Sequence, residues 1–248
     1  MKRKIGLVIE SLKLDIHEGL KRAAEIGLDG FQMYVTNGET APENLDSQDR
    51  KDFLKFVGDQ GLEISALCGD MGKGFLDPAT YKEVIRRTKT FIDLAVDLET
   101  VIVTTHIGHL PADENTREWE IGLETATELG KYAVERGRIL ASETGPEAPT
   151  TLLRFLEKVN SPAIKVNYDP ANFIMLGPFD HIGGVEVLKD WIVHTHAKDG
   201  ICLMKGEGGE MNKFLEVPLG EGGVAFEYYL KALDDIGYTG YLTIEREV

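Results

Sequence analysis

Short apolar runs rich in β-branched residues alternate with amphipathic segments along the whole chain. Such runs are typical of strands buried on both faces, and the segments between them repeat apolar positions with the period of a helix. The pattern predicts strands at residues 4–10, 29–35, 62–70, 100–108, 139–145, 163–170, 191–199 and 240–247. It predicts helices at residues 15–27, 47–61, 77–98, 115–136, 150–159, 183–189 and 225–237.

Polar residues and glycines mark several of the predicted helix ends. Asp15 and Asp77 stand at the start of the first and third helices, and Ser47 opens the second. We expect Asp15 and Asp77 to cap their helices by accepting hydrogen bonds from free backbone N–H groups. Gly27 and Gly61 are expected to end the first and second helices.

Eight strand and helix units without an interior linker predict a parallel sheet that closes into a barrel. A doubly wound open sheet is the alternative, but its usual glycine-rich phosphate loop is missing after the first strand, where the chain reads IESLKLD. We therefore expect an α/β protein with one (β/α)8 TIM barrel domain over residues 1–248. The chain stops at Val248, directly after the eighth strand, so the last helix is missing: either the sequence is truncated or another subunit of a homo-oligomer covers the gap.

Charge and cysteine content narrow the class of protein. With 42 acidic against 27 basic residues, the net charge of −15 disfavours binding to nucleic acid. Cys68 and Cys202 fit no zinc or redox spacing and suggest a reducing compartment. No apolar run is long enough to cross a membrane, and the one near the N-terminus is too short for a signal peptide. We expect a cytoplasmic protein with no membrane or nucleic-acid partner.

Four predicted strands end in side chains that bind metals. These side chains are Glu143, Asp169, His196 and Glu245. Since the carboxyl ends of all barrel strands meet at one face, we expect the four to converge on one divalent cation. Three carboxylates and one imidazole suit Mn²⁺, Mg²⁺ or Co²⁺, and Zn²⁺ is less favoured.

Each of these assignments competes with another reading of the same residues. Asp169, which precedes Pro170, could instead cap the next helix. His194 and His196 point to the same side of their strand, and we assign the metal to His196 because it is closer to the strand's tip. Glu245 is preferred over Glu247 because Glu247 lies almost at the chain end.

Five motifs in the second half of the chain resemble those of the xylose isomerase-like barrels in the sugar phosphate isomerase/epimerase group. They are ExG at residues 143–145, DPAN at 169–172, HxHxKD at 194–199, PLGEG at 218–222 and IERE at 244–247. In the D-tagatose 3-epimerases of this group, one metal ion is held by residues that match Glu143, Asp169, His196 and Glu245.

The resemblance implies a metal-dependent sugar or sugar-phosphate isomerase or epimerase, in which Glu143 and Glu245 also exchange the substrate's proton through an enediolate. The substrate would be a small sugar or polyol, and Mn²⁺ the metal. Two positions depart from the epimerases: Asn172 stands in place of a histidine, and Lys198 is the nearest cation where an arginine is usual. We expect Asn172, Lys198, His106 and Glu10 to contact substrate, although His106 and Glu10 could equally be structural polar groups at strand ends.

Three other functions are alternatives to an isomerase or epimerase. The HxHxKD motif is equally similar to that of inosose dehydratases, so a lyase is the main alternative. Endonuclease IV, a DNA-repair enzyme of the same superfamily, binds three zinc ions through additional histidines. Here residues 68–70 read Cys-Gly-Asp and Asn172 replaces another histidine, so that at most His106 and His109 correspond. A barrel that binds nucleic acid or ligands without catalysis is disfavoured by the charge.

The segment between the seventh strand and the last helix, residues 200–223, is predicted to be one long loop. It carries Lys205, Glu207 and Glu210 among several glycines. Long loops in compact domains are often functional. We expect either a mobile lid that closes over substrate or an ordered surface excursion.

Overall fold

Eight parallel strands close into a barrel in the computed structural model, which describes residues 3–177, 179–206 and 212–248. The described strands are β1 (Lys4–Val8), β2 (Gly30–Tyr34), β3 (Glu63–Cys68), β4 (Ile102–Thr105), β5 (Ile139–Glu143), β6 (Ile164–Tyr168), β7 (Ile192–Ala197), β8 (Asp199–Met204), β9 (Lys213–Val217) and β10 (Tyr241–Ile244). Strands β1 to β7 follow one another around the barrel, and β10 closes it between β7 and β1. The predicted (β/α)8 barrel is confirmed.

Helices cover the outside of the barrel. They are α1 (Ile16–Glu25), α2 (Ser47–Asp59), α3 (Tyr81–Asp97), α4 (Arg117–Arg136), α5 (Pro149–Val159), α6 (Pro170–Met175), α7 (Gly183–Val187) and α8 (Phe226–Asp235). Each of the seven predicted helices is present, and α6 is additional because its six residues are too few to show a period. Residues 245–248 follow β10 without a helix. Within the described part of the chain, no helix is both long and apolar enough to cross a membrane.

Of the two predicted helix caps one is confirmed and one is wrong, and α2 begins at Ser47 as predicted. Asp15 accepts a hydrogen bond from the backbone of Glu18 and caps α1. The cap of α2 is Asp46, one residue before Ser47, because its carboxylate accepts two backbone N–H groups. Asp77 lies in a turn that precedes α3, where its carboxylate binds Ala79 and Thr80. Gly27 and Gly61 follow α1 and α2 with φ angles of +82° and +73°, as their predicted role requires.

The barrel has an apolar outer layer and a polar interior near its carboxyl end. Large apolar side chains such as Trp119 and Phe155 pack edge to face between helices α4 and α5, with ring centroids 5.5 Å apart. Inside the barrel, Gln32, Asn167 and His194 are buried together with other polar side chains. Buried polar groups require hydrogen-bond partners, so the interior of this barrel is built around a polar network.

The predicted loop over residues 200–223 is wrong, because β8 and β9 form an antiparallel hairpin in which Ile201 pairs with Leu215. Each half of the segment carries a short apolar run, ICLM at residues 201–204 and FLEV at residues 214–217, as is typical of a short strand. Lys205 follows β8 directly. Glu207 and Glu210 lie outside the described residues, and the closing movement of a lid stays a prediction.

Asp199 fixes the base of this hairpin at the rim of the barrel. Its carboxylate is buried and accepts four hydrogen bonds of 2.9 to 3.0 Å, from the backbone N–H groups of Gly200, Gly220, Gly222 and Val224. A side chain at position 222 would collide with this carboxylate. The final aspartate of HxHxKD and the glycines of PLGEG therefore form one structural unit.

We expect Asp199→Ala to lower the free energy of unfolding by about 3 kcal/mol or more, because several backbone donors lose a charged acceptor. Chemical denaturation measures this change. Glu221→Ala alters an exposed residue of the same loop and should stay within about 0.5 kcal/mol of the wild type. Equal stabilities of the two variants would contradict the role of Asp199.

Candidate metal centre

The four predicted ligands lie together at the carboxyl end of the barrel. One side-chain atom of each of Glu143, Asp169, His196 and Glu245 lies within 4.8 Å of the others. The Nδ1 atom of His196 is 3.1 Å from Glu245 Oε2, 3.4 Å from Glu143 Oε1 and 3.8 Å from Asp169 Oδ2. All four side chains are buried. Three carboxylates crowded around one imidazole need a positive charge between them.

Asp169 divides its two oxygens between two roles. Oδ1 accepts hydrogen bonds from the backbone of Ala171 at 2.7 Å and of Asn172 at 3.3 Å, and so caps α6. Oδ2 is buried and has no hydrogen-bond partner among the described residues. An unpaired buried acceptor is costly, and a bound cation would satisfy it. The two alternative readings of Asp169 are therefore compatible.

The ring of His196 presents Nδ1 to the carboxylates. Its other nitrogen, Nε2, lies 3.1 Å from Oε1 of the buried Gln32. A carbonyl oxygen only accepts, so Nε2 carries the hydrogen, and in a neutral ring Nδ1 has its lone pair free for a cation. The sequence analysis missed Gln32, although a glutamine in the middle of the apolar run DGFQMYV was a visible signal.

The charges of the cluster shift the pKa values of its members in opposite directions. Burial lowers the pKa of His196, but the negative charges of Glu245 and Glu143 outweigh this effect and raise it well above its usual value. Burial raises the pKa of Asp169. Burial also acts to raise the pKa of Glu245, but His196 and Lys198 lower it below its usual value. A proton on His196 thus balances part of the negative charge.

Lys198 lies beside the cluster and contacts two glutamates. Its buried Nζ donates to Glu245 Oε2 at 3.0 Å and to Glu247 Oε2 at 2.7 Å. These bonds hold Glu245 toward His196, whereas the side chain of Glu247 remains more than half exposed. In this arrangement Lys198 orients a candidate ligand, and its contact with substrate stays a prediction.

Asn172 and His106 both approach Glu143. The amide nitrogen of Asn172 donates to Glu143 Oε1 at 3.0 Å and to the backbone oxygen of Thr144 at 2.9 Å, so both of its hydrogens are used. His106 Nε2 is 3.6 Å from the same Oε1, and its Nδ1 is 2.9 Å from Asp70 Oδ2. The side chain of His106 is 41% exposed, which puts it at the open side of the cluster.

Asp70 is a second residue that the sequence analysis missed. It lies two residues after β3, and a carboxylate at the end of the predicted strand 62–70 was the available signal. Glu10 accepts a hydrogen bond from the backbone of Tyr34 at 2.9 Å. Together with Tyr34 and Glu245 it lines a cavity of about 200 Å³ beside the cluster. The structure thus brings all the predicted contact residues to one end of the barrel.

A family model described as xylose isomerase-like TIM barrel matches residues 20–248. The chain belongs to this family. Among curated proteins, an uncharacterized protein of Methanocaldococcus jannaschii is 24% identical over 69% of this chain, which spans 61% of that protein's length. The inosose dehydratase of Geobacillus thermodenitrificans is 27% identical over 52% of this chain, which spans 47% of its length.

Solved structures repeat the same barrel. A xylose isomerase domain protein from Planctomyces limnophilus has a TM-score of 0.86 and 25% identity, covering 99% of this chain and 90% of that protein. D-psicose 3-epimerase from Clostridium cellulolyticum has a TM-score of 0.74 and 16% identity, with coverages of 98% and 84%. A xylose isomerase-like barrel of Mycobacterium smegmatis in complex with magnesium has a TM-score of 0.71 and 20% identity, with coverages of 94% and 81%.

Proposed function

We propose that this xylose isomerase-like barrel is a metal-dependent isomerase or epimerase of small sugars or sugar phosphates. The observation that carries the proposal is the buried cluster of three carboxylates and one imidazole with an unpaired oxygen of Asp169. This donor set fits one divalent cation with a preference for oxygen ligands, Mn²⁺ before Mg²⁺, Co²⁺ or Zn²⁺. When bound, such a cation would polarise a substrate carbonyl and stabilise negative charge next to it.

Glu143 and Glu245 are the proposed proton carriers. They lie at the ends of β5 and β10, which are separated by β6 and β7 around the barrel, so they reach a molecule in the centre from different sides. Glu245 stays ionised because His196 and Lys198 lower its pKa, and an ionised carboxylate can accept a proton from a carbon next to a carbonyl. Delivery of a second proton by the other glutamate, to the opposite face of that carbon or to the neighbouring carbon, would complete an epimerisation or isomerisation, and proton exchange with solvent would then restore both glutamates.

The residues around the cluster suit a small polyol. His106, Asp70 and Glu10 offer hydrogen-bonding groups at the open side, and Lys198 and Asn172 orient the two proton carriers. The net charge of −15 supports a small molecule over a nucleic acid as the partner. These contacts suit the hydroxyl groups of a small sugar or polyol.

Dehydration of a keto-inositol is the second candidate function. Elimination of water needs an acid for the departing hydroxyl group in addition to a base for the carbon-bound proton. His106, held by Asp70 at 2.9 Å and only 3.6 Å from Glu143, is a third proton-transfer group of the required kind. The inosose dehydratase relative agrees with this candidate, although the match covers about half of each chain.

A substrate panel separates the two candidates. Purified protein is assayed with ketoses, ketose phosphates and keto-inositols in the presence of Mn²⁺ and after treatment with a chelator. Conversion of a ketose into its epimer or isomer supports the first candidate, and loss of water from a keto-inositol without ketose conversion supports the second. Conversion that is unaffected by complete removal of metal would contradict both.

Binding of Mn²⁺ should release about one proton at neutral pH, because the cation replaces the proton that the surrounding carboxylates hold on His196. The raised pKa of His196 keeps this proton bound below that pKa, so the apparent metal affinity should fall about tenfold for each unit by which the pH decreases. Calorimetry in two buffers of different ionisation enthalpy measures the released proton. A binding heat that is independent of the buffer would contradict this exchange.

A further inference from the structure

Behind the proposed metal ligands, one row of side chains crosses three neighbouring strands inside the barrel. Glu143 on β5 pairs in register with Asn167 on β6, and Asn167 pairs with His194 on β7. The register of β6 and β7 shifts by one residue between Val166 and Asn167. This irregularity brings His194 to the level of Asn167, with both side chains inside the barrel and buried.

The hydrogen bonds of this row can run in only one direction. Asn167 Nδ2 donates to Glu143 Oε2 at 3.3 Å, and a carboxylate can only accept. The amide oxygen of Asn167 must therefore face His194, whose Nδ1 lies 2.9 Å away and donates. His194 Nε2 is then the acceptor of the ring, and the hydroxyl of Thr243 lies 3.0 Å from it.

The direction of the row decides how Glu143 is held. If His194 did not donate, the amide group of Asn167 would be free to turn, and its oxygen would then repel Glu143 Oε2. With the observed direction, Oε2 is tied to Asn167 while Oε1 faces His196 at 3.4 Å. Asn167 Nδ2 also lies 3.2 Å from His196 Nε2, but that nitrogen carries its own hydrogen toward Gln32, so Glu143 is the acceptor of the amide group.

We propose that His194 and Asn167 form a positioning relay that aims Oε1 of Glu143 at the cation, although neither residue is a ligand. This inference rests on the proposed metal site. It explains why a histidine stands two residues before His196 on the same side of β7, where apolar side chains are usual in a barrel interior. Groups that orient metal ligands typically change metal affinity about 10–100-fold when they are removed.

The test uses Co²⁺ alone, whose visible absorption reports the arrangement of its ligands. We expect His194→Leu to weaken Co²⁺ binding about 10–100-fold and to shift the absorption bands of the bound ion. Ser65→Ala is the matched control: its hydroxyl lies 3.3 Å from His194 Nε2, but donates to the backbone oxygen of Phe31 and is outside the relay. This variant should keep the wild-type affinity and spectrum.

The outcomes separate the relay from the metal site. Wild-type affinity and an unchanged spectrum in a folded His194→Leu variant would overturn the relay alone. Absence of Co²⁺ binding to the wild-type protein would overturn the metal site and the relay with it. Thermal unfolding without metal shows whether the variant is folded. If it is not folded, Asn167→Ala replaces it in the test, because this change keeps His194 and removes the relay residue next to Glu143. We expect the same weakening of Co²⁺ binding and the same kind of shift in the absorption bands, and an unchanged affinity and spectrum would overturn the relay.

Discussion

Replacing Glu245 by glutamine should reduce turnover by about 10²- to 10⁴-fold at saturating Mn²⁺, and Glu143→Gln should do the same, because each change removes a proton carrier. Glutamine keeps the size of the side chain and one oxygen toward the cation. Turnover is measured with the substrate that the panel identifies, at metal concentrations that fill each variant. Exchange of the substrate's carbon-bound proton with D₂O is followed in parallel.

The deuterium readout distinguishes proton transfer from loss of structure. In a variant with one remaining glutamate, net conversion of substrate should be lost. The carbon-bound proton of one substrate epimer should still exchange with D₂O, because the remaining glutamate can remove and return a proton on its own side of the substrate. Glu247→Gln is the matched control: its carboxylate shares Lys198 with Glu245 but lies outside the cluster. It should keep turnover within about threefold, less than the loss typical of a removed acid or base. Metal-loaded Glu143→Gln and Glu245→Gln variants with near wild-type turnover would refute the assignment and direct attention to His106 and Lys198.

Asp169→Asn should weaken Mn²⁺ binding by an order of magnitude or more, because loss of a ligand costs at least as much as the about 10–100-fold effect typical of groups that only orient ligands. The new amide oxygen can still accept the backbone hydrogens of Ala171 and Asn172, so the cap of α6 survives. Its NH₂ group takes the place of Oδ2 and cannot bind a cation. Calorimetric titration with Mn²⁺ measures the change, and thermal unfolding shows that the barrel remains intact.

Asp180→Asn makes the same chemical change at a comparable position away from the cluster. Asp180 is exposed and accepts the backbone hydrogens of Ile182 and Gly183 at the start of α7. The Mn²⁺ affinity of the Asp180→Asn variant should equal that of the wild type. Equal affinities of the Asp169→Asn variant and the wild type would remove Asp169 from the site.

The barrel could be predicted from the sequence because its strands are apolar on both faces and regularly spaced. The convergence of Glu143, Asp169, His196 and Glu245 followed from barrel geometry alone, since strand ends meet whatever their distance along the chain. The choice of His196 over His194 depended on depth along one strand, and the structure brings His196 and not His194 into the cluster. Their assignment as metal ligands awaits the experiments above.

The parts that could not be predicted depend on contacts between distant segments. Gln32 and Asn167 stand out as polar residues in apolar strands, but only the closed barrel shows that they face His196 and Glu143. The β8–β9 hairpin was predicted as a loop because its two short apolar runs stand among many glycines. Four backbone N–H groups donate to Asp199 and hold the base of the hairpin. The HxHxKD motif contains this aspartate, but the motif alone does not show which groups it binds.

Anomalous diffraction from crystals soaked in Mn²⁺ tests the central claim most directly, because data collected at the manganese absorption edge locate the ion without reference to activity. We expect one strong peak enclosed by the carboxylates of Glu143, Asp169 and Glu245 and by Nδ1 of His196. The peak should disappear when the crystals are soaked in a chelator and be strongly reduced in Asp169→Asn. A fully soaked wild-type crystal without a peak at this position, or with its strongest peak elsewhere, would contradict the proposed site.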